Sequence, residues 1–265
     1  MPTVEENRRI WNEQFAWSET EDNWSSGWGG ARMQWFWSLL PRIQAFLPAP
    51  TILEIAPGYG RWTQYLKDHC ERLTVVDLSE KCIEHCKRRF AGVSHIAYHV
   101  NDGRSLEMVA PESVDFLFSY DSFVHIEGED VRNYLRQIGA KLTRDGVGMI
   151  HHSNLGNYLP LFRVVAESVH ARDTLKQAGL FSHSLRAPSM TAELFVRFAE
   201  EAGLQVLTQE LVNWDNRGQP WLIDCISIFT RKGSRWARPF QRLENRDFME
   251  EQAAILEKTR LYCYE

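Results

Sequence analysis

The segment Thr51–Arg61, TILEIAPGYGR, constrains the fold of this chain more than any other stretch. A short apolar run ends on an acid, and a glycine-bearing turn follows at once. Such a run bounded by turn residues suits a buried strand. Gly58 and Gly60 lack the Cβ atoms that would hinder a sharp turn and a close approach of backbone to ligand. Glu54 sets a carboxylate at the strand's end. The sequel strengthens this reading: LTVVDLS, at Leu73–Ser79, is a second apolar strand ending in Asp77, 17 residues after Gly60, where an acid suits a ribose diol.

A third element closes on NDG at Asn101–Gly103, and a fourth strand, VDFLFSYDS, begins at Val114 and ends near Asp121. Between the strands, Trp62, Tyr65 and Leu66, then Ile83, Cys86 and Phe90, then Val131, Tyr134, Leu135, Ile138 and Leu142 fall at helical spacing. TRDGVGMIHHSN reads as a turn and a fifth strand, AELFVRFAEEAGL as a helix ending near Gly203, and Gln205–Val212 and Leu222–Arg231 as two further strands. Alternating strands and helices predict parallel strands with helices on both faces. A phosphate-binding dinucleotide fold is disfavoured. GYGRWT offers no G-x-G-x-x-G, and the bulky Arg61 and Trp62 open the helix where packing on a pyrophosphate would favour another glycine. A purely structural turn leaves three ordered strand-end acids unexplained.

This series resembles the class I methyltransferases that use S-adenosylmethionine, over roughly Pro50 to Gly233. The family pattern is an acid, glycines at alternate positions, a ribose acid and an aspartate beside the adenine. Glu54, Gly58, Gly60, Asp77 and Asp102 match it, and Ala56 stands where a first glycine is usual. The resemblance implies an α/β fold, a Rossmann-like doubly wound seven-stranded sheet with helices on both faces, closed by an antiparallel pair. It also implies S-adenosylmethionine as cofactor, with Leu78, Gly103 and Tyr120 joining the matched residues around it.

Two segments flank or interrupt the 50–233 core. Residues 1–49 hold six of the ten tryptophans and read as an aromatic lid; Trp24 and Trp28 are expected against the cofactor, since an aromatic face suits a sulfonium cation. Packing against the sheet is the plainer alternative for them. Residues 155–189 form an insertion after the fifth strand, expected to shape the acceptor site. The tail, 234–265, reads as an amphipathic helix that covers the sheet or joins two subunits.

Net charge −5 and a pI near 6.0 give no basic face for nucleic acid. A small-molecule or glycan acceptor is favoured. The polar start MPTVEENRRI and the lack of a long apolar stretch predict a cytoplasmic protein off the membrane. Five cysteines without a C-x-x-C fit reduced thiols, and Cys82 and Cys86 suit core packing on one helix face.

Ligands of an open parallel sheet bind beyond the carboxyl ends of its strands. Asp121 and His125 follow the fourth strand, His151–Asn154 end the fifth, and His183 and Arg186 form a looser third cluster. A hydroxyl acceptor needs a base that titrates near neutrality, which histidine supplies; His125 is the first candidate and His152 the second. A divalent metal, held by Asp121 and Asn154, is possible but disfavoured because magnesium prefers more hard oxygen ligands than these. Through SYDSFVHIEGEDV and HHSNLG the chain also resembles methyltransferases of bacterial glycan and natural-product pathways, which implies transfer to a hydroxyl of a sugar-containing molecule. Transfer to nitrogen or to an aromatic hydroxyl is the alternative. A catalytically silent binding protein is a further one, opposed by the titratable residues after strands four and five.

Overall fold

Strand β1, Thr51–Ile55, is buried along its whole length, as an apolar run covered on both faces must be. The computed structural model describes residues 3–18, 24–159, 186–215 and 217–262. β1 pairs in parallel with β2, Arg72–Asp77, and with β4, Val114–Phe123. β3, Ile96–Val100, lies beyond β2, and β5, Leu142–Ser153, beyond β4, again in parallel. β7, Asp224–Arg231, runs antiparallel between β5 and β6, Leu204–Val212. β8, Gln241–Asn245, pairs in parallel with β6, so the order from edge to edge is β3-β2-β1-β4-β5-β7-β6-β8.

Helices α1, Val4–Arg9, α2, Ala31–Gln34, and α3, Leu40–Ile43, precede the sheet. α4, Thr63–Leu66, and α5, Glu80–Arg89, follow β1 and β2, and α6, Gly128–Lys141, joins β4 to β5. α7, Ala192–Glu201, leads into β6, and α8, Phe248–Tyr262, follows β8. Helix α5 carries its own start and stop signals. The Ser79 hydroxyl accepts from the Cys82 N–H at the head of α5, and Lys87, Arg88 and Arg89 oppose the dipole at its tail. Among the described residues no helix is long and apolar enough to cross a membrane.

The doubly wound fold is as expected, but the sheet has eight strands rather than seven. The 234–265 tail begins as β8 and turns helical only at Phe248. QRLEN is polar and exposed along most of its length, so no alternation of burial marks it as a strand; the ladder to β6 places it. Of the 155–189 insertion only the two ends are described, and residues 160–185, His183 among them, lie outside the described residues.

The sheet separates two cores. One holds Val147 and Met149 of β5 with Trp35 and Leu39; the other holds Ile150 with Leu135 and Phe195. Helices α6 and α7 approach so closely that a Cβ on Gly139 would stand 2.3 Å from the Ala202 carbonyl oxygen. Alanine favours a helix over glycine by about 1 kcal/mol. A clash with backbone, however, has no rotamer to relieve it, and overpacking costs about 1–3 kcal/mol. Gly139→Ala is expected to lose stability overall, by up to about 2 kcal/mol, as a lower urea midpoint at unchanged slope. A stabilised variant would show that the helices part freely.

Candidate active site

The turn after β1 is built from left-handed backbone. Ala56, Gly58 and Gly60 have φ of 58°, 59° and 88°. An L residue adopts this region at a cost, so Ala56 occupies a glycine's conformation at the very position where the family has one. Its N–H is tied to Val76 at 2.7 Å. A Cβ on Gly60 would meet the Phe90 ring at 2.5 Å, so this glycine answers to helix packing as well as to the turn. Behind the turn, buried Glu54 accepts from the Thr63 hydroxyl at 2.6 Å and shapes the loop without lining the cavity.

Asp77 ends β2 directly beneath that turn. One carboxylate oxygen accepts from the Gly58 N–H at 3.2 Å, the other from the Ser79 N–H at 2.8 Å. Burial pushes its pKa up to about 6, against the pull of these backbone bonds. A cavity of about 600 Å³ opens over Asp77, Leu78, Ala56 and Gly58 and continues past Tyr120 and Asp121. A smaller cleft beside it is lined by Asn101, Gly103 and Tyr134. Asp102 is exposed and uses its carboxylate to accept from the N–H groups of Arg104 and Ser105 at 2.8 and 2.7 Å, which folds the loop that carries its two neighbours.

The far wall comes from the amino-terminal segment. Asn7, Trp11, Phe15, Trp17 and Trp24 line the cavity, Phe15 stacked on Trp24 at 4.8 Å and Trp17 stacked on Tyr59 of the turn at 4.7 Å. Trp28, expected beside Trp24, is fully buried and packs edge-on against Phe248 at 5.3 Å instead. Three residues separate glycine-turned Gly29 from Trp24's neighbour Ser25, and the short helical turn Ser26–Trp28 rotates the second indole into the core.

At the tip of β4 the ladder to β5 is interrupted between Ser119 and Phe123, and Asp121 has a φ of 65°. Such a bulge re-aims a side chain at the cost of a pair. Asp121 forms an ion pair with Arg61, whose guanidinium lies over Trp62 at 4.6 Å and Trp24 at 5.5 Å. Its other oxygen stands 3.2 Å from His151 Nδ1. His151 Nε2 stands 3.2 Å from Asp224, a charge contact set too obliquely for a good hydrogen bond. Asp224 in turn takes two N–H groups of Arg186. The result is a buried chain, Arg61, Asp121, His151, Asp224, Arg186, whose charges alternate when the imidazole is protonated. Burial would raise the Asp121 carboxyl, but Arg61 and His151 outweigh it and hold it below its usual value. Burial would likewise depress His151, yet its two carboxylate neighbours raise it.

Adjacent histidines on a strand face opposite ways. His151 follows Val147 and Met149 towards the cavity side; His152 follows Ile150 into the other core. There it stacks on Phe195 at 4.2 Å, contacts Ser227 Oγ at 2.8 Å, and burial drives its pKa down to about 3. As a candidate base His152 is therefore displaced by its neighbour's parity. Asn154 is also turned away from Asp121: its amide donates to Leu222 and accepts from the N–H of Ala192, both at 2.8 Å. The suggested metal pair is not brought together. Among the described residues no group of three or more histidine, cysteine, aspartate or glutamate side chains is placed to hold a metal ion. His125 does line the cavity, 5.5 Å from Trp11 between ring centres.

Arg61, Trp214, Asp215 and Asp224 escape a reading of strand ends. The one local hint is Asp224, an acid that opens the otherwise apolar run DCISIF.

Residues 52–146 match the family described as methyltransferase domain. Among solved structures, the PH0226 protein from Pyrococcus horikoshii OT3 aligns with TM-score 0.55 at 15% identity, over 84% of this chain and 96% of that one. A S-adenosylmethionine-dependent methyltransferase from Clostridium acetobutylicum ATCC 824 aligns with TM-score 0.54 at 14% identity, over 74% and 91%. At such identities the likeness is one of fold. Nodulation protein S of Rhizobium tropici is 36% identical over 55 residues, which are 21% of this chain and 23% of that protein. Residues 52–146 thus match a methyltransferase domain family, within a sheet that shares the fold of a S-adenosylmethionine-dependent methyltransferase.

Proposed function

We propose that this protein transfers a methyl group to a hydroxyl of a small, sugar-containing acceptor, with His125 as the base. The observation that carries this reading is the mixed lining beyond Asp77, where Trp11 and Trp214 are interleaved with His125, Asp215 and Arg186. Aromatic faces suit sugar rings, and a few placed polar groups read hydroxyls. Bound S-adenosylmethionine would supply an electrophilic methyl group on sulfur.

In this reading Asp77 holds the ribose, the Ala56–Gly60 turn cradles the remainder of the cofactor, and the aromatic segment acts as a lid that excludes water. Asp121, fixed between Arg61 and His151, orients the acceptor. His125 takes the hydroxyl proton during attack, because a neutral hydroxyl is a poor nucleophile until that proton leaves. The 50–233 core thus carries cofactor and base, and residues 1–49 complete the enclosure.

Labelled-methyl transfer to a panel of glycosides, phenols and amines tests this. Transfer to glycosides is expected, falling by about 10²–10⁴-fold in His125→Ala while S-adenosylhomocysteine affinity stays unchanged. Transfer to amines or phenols alone, or full activity in His125→Ala, would sink the reading.

A further inference from the structure

We infer that the free edge of β8 pairs two copies of this chain antiparallel about Leu243, joining their sheets into one. This inference does not depend on the acceptor. β8 is the outermost strand, and no described strand covers its outer edge. An exposed edge is a template for another strand, and a folded protein either blocks it or uses it. Here Phe240 and Leu243 are 44% and 56% exposed, so the edge carries apolar side chains that the monomer leaves in water.

The sequence PFQRLENR, Pro239–Arg246, complements itself. Centred on Leu243, antiparallel pairing sets Arg242 opposite the second copy's Glu244, and Glu244 opposite the second copy's Arg242. Leu243 meets its own counterpart, and Phe240 meets the second copy's Arg246. Directly opposed residues share a face, so two opposite-charge pairs would flank the centre on one face and the leucines would meet on the other. The register to β6 agrees: Leu243 stands beside Glu210 and Arg242 beside Gln209, on opposite faces. Like charges at 242 and 244 would have blocked the same pairing. Within one copy, among the described residues, Glu244 is engaged by Arg246, both about half exposed, a contact worth little and easily exchanged.

An edge this short buries less surface than a tight dimer needs, so a dissociation constant of about 1–100 µM is expected. Sedimentation velocity on the full chain from about 1 to 200 µM brackets that range. The wild type should shift from monomer to dimer. Leu243→Lys, which changes a solvent-facing side chain, should remain monomeric at an unchanged thermal midpoint. Arg242→Glu should be monomeric too, and Arg242→Glu with Glu244→Arg should dimerise again. Both of those variants lose the Arg242–Glu193 pair within one copy, so recovery in the double variant isolates the contact between copies. A wild type that is monomeric throughout, or a dimer unmoved by Leu243→Lys, overturns the proposal.

Discussion

Asp77→Ala is expected to weaken S-adenosylhomocysteine binding at least 100-fold in calorimetric titration at pH 7.5. A buried carboxylate that accepts two ribose hydroxyls makes two charge-assisted bonds, each worth about 1.5–3 kcal/mol. The same group predicts a pH dependence. Its pKa in the ligand-free protein is pushed up to about 6 by burial, so acid below that point protonates the acceptor that a ribose bound there would use. Affinity of the wild type should fall towards tenfold per pH unit below about 6, and the variant's residual affinity should be flat there. The effect on the ligand-free fold has the opposite sense: a raised carboxyl pKa favours the folded state in acid, and that contribution is lost as pH rises through about 6. Wild-type affinity that is constant from pH 7.5 to 5 would remove Asp77 from the ribose.

Asp121→Ala should be the most destabilising of the site variants, by about 3–5 kcal/mol in urea titration at pH 7. It removes a carboxylate from beside Arg61, whose side chain is 6% exposed, and from beside His151, which is wholly buried. The cost is that of buried groups losing a compensating charge, not the net worth of the pair. Asp121→Asn keeps the shape and an acceptor and should lose less. Linkage supplies a second readout. His151 is raised above its ordinary 6.5, so its contribution is complete below pH 6.5 and is lost as pH climbs through the raised value. Asp121 and Asp224 are lowered, so theirs is present above pH 3.8 and lost in strong acid. Wild-type stability should therefore decline as pH rises above 6.5, and the decline should be shallower in Asp121→Ala. An unchanged slope would mean that His151 does not feel Asp121.

The glycine turn, the acid that follows it on β2 and the alternation of strands with helices were readable because each is a local regularity. An apolar run of five residues, a Gly-x-Gly pair and helical spacing reflect the chain's own dihedral and burial preferences over a few residues. Ala56 shows how far this goes: its departure from glycine was visible, and only its φ of 58° shows that it adopts the glycine's conformation. Trp28 and His152 mark where local reading ends. Each was singled out for its chemistry, and each was turned into a core, His152 by the alternation of a strand and Trp28 by the short helical turn Ser26–Trp28.

Local sequence was therefore sufficient for the class of fold and for the floor of the cavity, whose parts lie on a strand end and the turn beside it. It was not sufficient for the far side of the cavity. Arg61, Asp121, His151, Asp224 and Arg186 are drawn from five separate segments, and each meets the next only once the chain has folded. The same holds for β8, a polar strand that exists because β6 offers it a ladder. Interactions across such separations leave no periodic trace along the chain, since it is the packing of the sheet that brings their partners within reach.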